Sequence, residues 1–211
     1  MAKRKIKLTR TELKAQRDAL ARYERYLPTL KLKQQQVQSS IVQMRQMQRQ
    51  VRANADDARR HIESYLQVFN DMAGINVHQL ARPDQVQTTT QSIAGVKVPV
   101  FQKVTFSHPD YSLFSTAPWV DRAVGDLRQF NRFKVELEIL DTCVELLQNE
   151  LKKVMQRVNL FEKIKIPQTQ DNIRRIRIAI GDQMTASVAR AKIAKNKLEL
   201  KEQLAREAVV Q

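Results

Sequence analysis

Apolar residues recur at Leu13, Leu20, Leu27, Leu30, Val37, Ile41, Met44, Val51, Ala55, Ala58, Ile62, Tyr65, Phe69 and Met72, with every step three, four or seven residues long. That spacing predicts one helix over residues 9–73. It carries a single apolar stripe, and a stripe sustained this long is the seam of a left-handed supercoil. Thr9 or Thr11 can cap its start, with Glu12 three residues after Thr9 in capping-box spacing. Gly74 is placed to end it. Pro28 lies inside the pattern. It removes a backbone donor, but the apolar register continues past it, so a bend near residues 24–28 is expected rather than a break.

A second stripe runs through Val120, Ala123, Leu127, Phe130, Leu137, Leu140, Val144, Leu147, Leu151, Val154, Val158 and Phe161. Pro167 interrupts it, and the pattern resumes at Ile173, Ile176, Ile180, Met184, Val188, Ala191, Ala194 and Leu198, with Asp171 near the resumption. This predicts a C-terminal helix over residues 117–207, bent near Pro167. Residues 74–116 differ in kind, holding Gly74, Pro83, Gly95, Pro99 and Pro109. Val96, Val98 and Val100 alternate there with Lys97 and Pro99, and Val104-Thr105-Phe106 follows, a strand or hairpin signal whose Pro99 assigns it to an edge. Thr88-Thr89-Thr90-Gln91-Ser92 reads as loop. The predicted fold is therefore dominated by α-helix: a long antiparallel two-helix coiled coil with a small β-hairpin/loop insert at the middle of the chain. Each helix buries its stripe against the other, so the core is a line along a rod, with little room for an enclosed active site.

Composition sharpens this picture. The 211 residues include only 4 Gly, 6 Pro and 1 Cys, too few turn residues for a sandwich or barrel. A lone cysteine, Cys143, excludes an intrachain disulfide framework and a Cys-rich zinc site. No apolar run approaches the ~20 residues that span a bilayer, and the basic start Met1-Ala-Lys3-Arg4-Lys5 leads into no apolar signal segment. A soluble, cytoplasmic protein is expected. Its formal charge is +15. No acidic residue lies between Glu24 and Asp56, while Arg45, Arg49 and Arg52 and many glutamines occupy that stretch. A second basic stretch holds Arg190, Lys192, Lys195, Lys197 and Lys201. In one antiparallel hairpin, both stretches would lie at the end that carries the termini. Such a surface suits an acidic protein socket, nucleic acid or an anionic membrane.

Chemistry is sparse. The glycines are too scattered for a phosphate-binding loop, and neither HExxH nor CxxC occurs. His61, His78 and His108 are far apart; His61 is expected on the helix surface and His108 in a loop. Cys143 neighbours a seam position and reads as a small residue flanking the core. The carboxylates Glu136, Glu138, Asp141 and Glu145 read as a solvated helix face. No catalytic residue, metal site or cofactor is predicted.

Specific strings say more. Arg157-Val158-Asn159-Leu160-Phe161-Glu162-Lys163-Ile164-Lys165-Ile166-Pro167, followed by Asn172-Ile173 and Ile176, resembles the "RVNALE…IP…TI..I" signature of the D subunit of V-type and A-type ATPases. Thr9-Arg10 with Leu13, and Leu30-Lys31-Leu32-Lys33 with Val37, resemble that family's "TR..L" start and "LLK.K" segment. The chain departs from the pattern at Ala21-Arg22-Tyr23-Glu24, at Gln34-Gln35-Gln36 and at Gly181-Asp182-Gln183-Met184, and looks like a divergent bacterial branch. The resemblance implies a non-catalytic rotor subunit of the central stalk. It implies three catalytic A and three B subunits ringed around the terminal helices, a small F subunit beside the coiled coil, and a membrane-ring adaptor subunit at the foot. Rotation would couple ATP hydrolysis or synthesis to proton or sodium transport, peripheral to the membrane and without insertion into it or direct contact with nucleic acid. Arg45, Arg49 and Arg52 are then candidates for facing the sleeve, and the insert for touching F or modulating activity. Two other readings compete. A nucleic-acid-binding coiled coil predicts steeply salt-dependent binding. A basic coiled-coil scaffold at a membrane surface predicts liposome binding and self-association.

Overall fold

The computed structural model describes residues 6–65, 67, 76–107 and 116–210, with side chains as far as residue 202. Helix α1 spans Arg10–Glu63, a one-turn helix α2 Val77–Leu80, strands β1 Pro83–Ile93 and β2 Val96–Phe106, helix α3 Trp119–Asn159, and helix α4 Ile166–Val210. A π-helical turn, Leu160–Lys165, joins α3 to α4. Among the described residues helix dominates, with one small antiparallel hairpin between the long helices. The chain divides into two units. One holds residues 31–156, and the other combines the residues before and after that span.

In the 31–156 unit, α1 and α3 run antiparallel: the contacts pair Lys33 with Glu150, Gln48 with Asp141 and Tyr65 with Asp126. Two apolar clusters hold this unit. One is Ile62, Val77, Ala81, Val120, Ala123, Val124 and Leu127. The other is Val37, Ile41, Val98, Cys143 and Leu147, where the hairpin docks on both helices. Burying a large aliphatic side chain is worth about 1.5–3 kcal/mol before ordering entropy is subtracted. Leu147, Val37 and Val98 are completely enclosed.

In the other unit the Asn172 amide donates to the Gln16 side-chain oxygen at 3.4 Å, and the Tyr23 and Phe161 rings lie 5.3 Å apart. Again a rising number on α1 meets a falling one on its partner. Val158, Thr169, Ile173 and Ile176 are buried there. Every stripe position named above on α1, as far as Tyr65, and on α3 is buried or half-buried.

Several expectations change. The first helix ends at Glu63. Ser64 N–H donates to Arg60 and Tyr65 N–H to Ile62, tightening the last turn as the Tyr65 hydroxyl reaches Asp126 on α3. Phe69, Met72 and Gly74, expected at the helix end, lie outside the described residues, as does His108. Thr88-Thr89-Thr90-Gln91-Ser92 is not loop: it is the middle of β1, paired from Ile93↔Val96 back to Pro83↔Phe106. Of the strand or hairpin expected there, Val96–Phe106 forms a single strand. The turn is the two-residue Ala94-Gly95, both with positive φ, 51° and 80°, as a type I′ hairpin requires. The familiar Asn-Gly signal is absent, which leaves the threonine run without a visible partner in the sequence. Helix α2, capped by the Asn76 side chain on Gln79 N–H, is an addition to the predicted elements. Pro28 lies within an unbroken α1.

Candidate functional site

Thr9 caps α1 as its spacing predicts: its hydroxyl accepts from Glu12 N–H at 3.3 Å and its carbonyl from Leu13 N–H at 3.0 Å. Arg10 is exposed, and Leu13 and Leu30 are half-buried on the inner face. Lys31 is exposed, whereas Lys33 is half-buried and pairs with Glu150 at 2.9 Å. The Arg157–Pro167 string occupies the end of α3, the π turn and the start of α4. Val158 and Ile173 are core residues, and Ile166 is half-buried. Arg157, Asn159, Glu162 and Pro167 are exposed.

The interruption expected at Pro167 is a π turn in a helix that continues. Ile166 N–H donates to the Phe161 carbonyl, five residues back. One extra residue is thereby accommodated in the ladder, just before a proline that has no donor to offer. The buried Thr169 hydroxyl donates to the Lys165 carbonyl at 2.6 Å. Asp171, near the expected resumption, sits inside the continuous α4. Proline marks the position in the sequence; the π geometry has no local signature.

The stripe expected beyond Ile180 is not a seam. Every residue from Gly181 to Glu202 is exposed, including Met184, Val188, Ile193, Leu198 and Leu200, at 52 to 68% of full exposure. The reason is length. Gln16 already meets Asn172, and α1 starts at Arg10, so α1 has no residues left to cover the rest of α4. The two basic stretches also belong to different units. Arg45, Arg49 and Arg52 are exposed on α1, where the neighbouring Gln48 meets Asp141 of α3. Arg190–Lys201 fall in the other unit. The arginine-bearing part of α1 pairs with α3, and the single hairpin on which one shared basic end was expected is here divided into two units.

Cys143 does not flank the core. It is 2% exposed, and its thiol donates to the Pro99 carbonyl at 3.2 Å, beneath the hairpin. Burial pushes the thiol pKa up. Burial and the Asp126 hydrogen bond push the Tyr65 phenol up as well. Near Tyr65, a cavity of about 480 Å³ is lined by Asn54, Asp57, Ala58, His61, Asp126, Gln129 and Phe133. His61 lies 3.6 Å from Asp126 and 3.4 Å from Arg122. This lining offers amides, carboxylates and an imidazole but no nucleophilic hydroxyl, thiol or amine. Sequence reasoning missed this cluster because its members come from helices some sixty positions apart. Among the described residues no helix is long and apolar enough to cross a membrane.

Comparison with known proteins connects these features. The family model for the ATP synthase D subunit matches residues 12–196. The V-type ATP synthase D subunit of Borreliella burgdorferi is 37% identical over 92% of this chain and 95% of its own. Those of Chlamydia felis and Chlamydia trachomatis serovar L2 are 33% and 31% identical, each over 92% of this chain and 94% and 96% of their own. A match of that extent, through α1, the hairpin, α3 and most of α4, places the chain in the family of ATP synthase D subunits.

Proposed function

We propose that this chain is the central-stalk rotor subunit of a V-type rotary ATPase, itself non-catalytic, transmitting torque between an A/B catalytic ring and a membrane ion-translocating ring. Within that reading, the A and B subunits surround the terminal helices. The F subunit and a membrane-ring adaptor subunit hold the 31–156 unit. The protein would be cytoplasmic and peripheral to the membrane through that complex.

The observation that carries the reading is the naked stretch of α4. Residues 181–202 form a helix with no covering partner among the described residues, yet carry five exposed large apolar side chains among basic ones. A lone helix with this surface is stable only when something packs on it. A ring of subunits gripping it supplies that packing, each buried large side chain adding roughly 1.5–3 kcal/mol. Arg45, Arg49 and Arg52 would position the chain within its partners rather than anchor it.

The test uses two exposed positions whose change leaves the chain's own core intact. Met184→Asp with Val188→Asp is expected to weaken assembly with co-expressed A and B subunits at least tenfold, about 1.4 kcal/mol, while far-UV circular dichroism of the free chain is unchanged. Undiminished assembly would remove α4 from the gripped surface.

A further inference from the structure

The two edges of the hairpin are built differently. Across a two-residue turn, the flanking residues Ile93 and Val96 exchange hydrogen bonds, and alternate positions do the same. Gln91 and Thr89 therefore turn their backbone groups towards β2. Ser92, Thr90 and Thr88 turn theirs outward, as do their partners Lys97, Pro99 and Phe101 on the far side. The β2 edge is closed. Pro99 offers no N–H, its carbonyl is taken by the Cys143 thiol of α3, and Lys97 and Lys103 flank it. These are the devices that keep an edge from pairing. On β1 such devices are confined to its start, where Pro83 and Asp84 stand beside a register shift. From Gln85 to Ile93 there is neither proline nor charge, residues 84–92 are all exposed, and among the described residues the sheet has no third strand.

The β1 sequence is also self-complementary. Gln87-Thr88-Thr89-Thr90-Gln91 reads the same in both directions. Two copies placed antiparallel about a two-fold axis at Thr89 set Thr88 opposite Thr90 and Gln87 opposite Gln91. Both members of each Thr88–Thr90 pair have outward backbone groups, so the pairing satisfies the hydrogen-bonding parity. It also gives threonine–threonine and glutamine–glutamine cross-strand contacts. We infer that the β1 edge is a docking surface for a second copy of this chain, joining two hairpins of the free protein into one four-stranded antiparallel sheet. A two-stranded ribbon is marginal alone; doubling it supplies the missing pairing. The partner is a second copy because Gln87–Gln91 is a palindrome and because Gln85–Ile93 carries no charge in a strongly basic protein.

Sedimentation velocity of the free chain tests this, from about 1 to 100 μM in roughly 0.3 M salt to screen general repulsion. The wild type is expected to move from monomer to dimer across that range. Thr88 and Thr90 lie on the sheet face opposite Val98, so charge there spares the docked side of the hairpin. Thr88→Lys with Thr90→Lys sets like charges across the axis and is expected to weaken dimerisation at least tenfold, as is Thr88→Glu with Thr90→Glu. Mixing the two variants restores a heterodimer. A monomeric wild type throughout the range overturns the inference. So does a dimer that persists undiminished in the lysine variant, or a mixture that stays monomeric while both variants keep wild-type circular dichroism.

Discussion

Ala94 occupies a left-handed position, φ 51°, that glycine or asparagine fills at lower cost. Ala94→Gly is expected to stabilise the hairpin by about 1 kcal/mol, read as a rise in the urea midpoint at unchanged slope. Gly95→Ala, at φ 80°, shifts it the other way by a similar amount. The same turn explains why β1 reads as loop. With Ala-Gly at the turn instead of Asn-Gly, the polar run before it carries no hairpin signal, and β1 buries almost nothing that alternation would reveal. Cys143 makes a pH prediction. Its folded-state pKa is raised by burial, so the folded chain keeps the proton where the unfolded thiol, near pH 8.5, has lost it. Stability therefore falls as pH rises through that range. Tyr65, raised in the same sense, extends the fall to higher pH. The melting temperature of the wild type should decline from about pH 8 to 10, and that of Cys143→Ala, though lower throughout, should decline less steeply.

For the long elements, the three-and-four spacing is a reliable guide wherever a partner helix exists, from Leu13 to Tyr65 and from Val120 to Ile180. It fails from Met184 onward because periodicity reports which face is apolar, not whether anything is there to meet it. The reach of α1, fixed by its cap at Thr9, decides that. Two backbone irregularities sit in the same unit, Pro28 in α1 and the π turn before Pro167. An interior proline costs about 3 kcal/mol in a regular helix. Pro28→Ala is therefore expected to raise stability by about 1–3 kcal/mol, seen in thermal or urea unfolding, with helix content unchanged. Amides of Leu160–Lys165 should exchange with deuterium faster than those of Val144–Val154, where the ladder is regular and the inner face is enclosed. In that enclosed stretch Leu147→Ala is expected to cost about 2–5 kcal/mol, since the side chain supports both α1 and the docked hairpin.

At the scale of the whole molecule, the strings around Asn159 and Pro167 reveal the family before any coordinates do. The cluster joining His61, Tyr65 and Asp126 does not show, because only the antiparallel pairing of α1 with α3 brings it together. The excess positive charge, +15 in all, has a different meaning once the helices are placed. Part of it lies in exposed arginines on the part of α1 paired with α3, and part in a separate basic stretch of α4 with uncovered apolar side chains. A helix bare from Gly181 to Glu202 and an α1–α3 pair clasped by a hairpin suit a component that is completed by other subunits. The most direct measurement is native mass spectrometry of the full-length chain co-expressed with the A and B subunits of the same organism, purified in about 0.3 M salt to suppress loose ionic contacts. A rotor subunit gives a complex with one copy of this chain per three A and three B subunits. A chain that purifies without those subunits, or binds them in equal numbers, would contradict the central-stalk assignment.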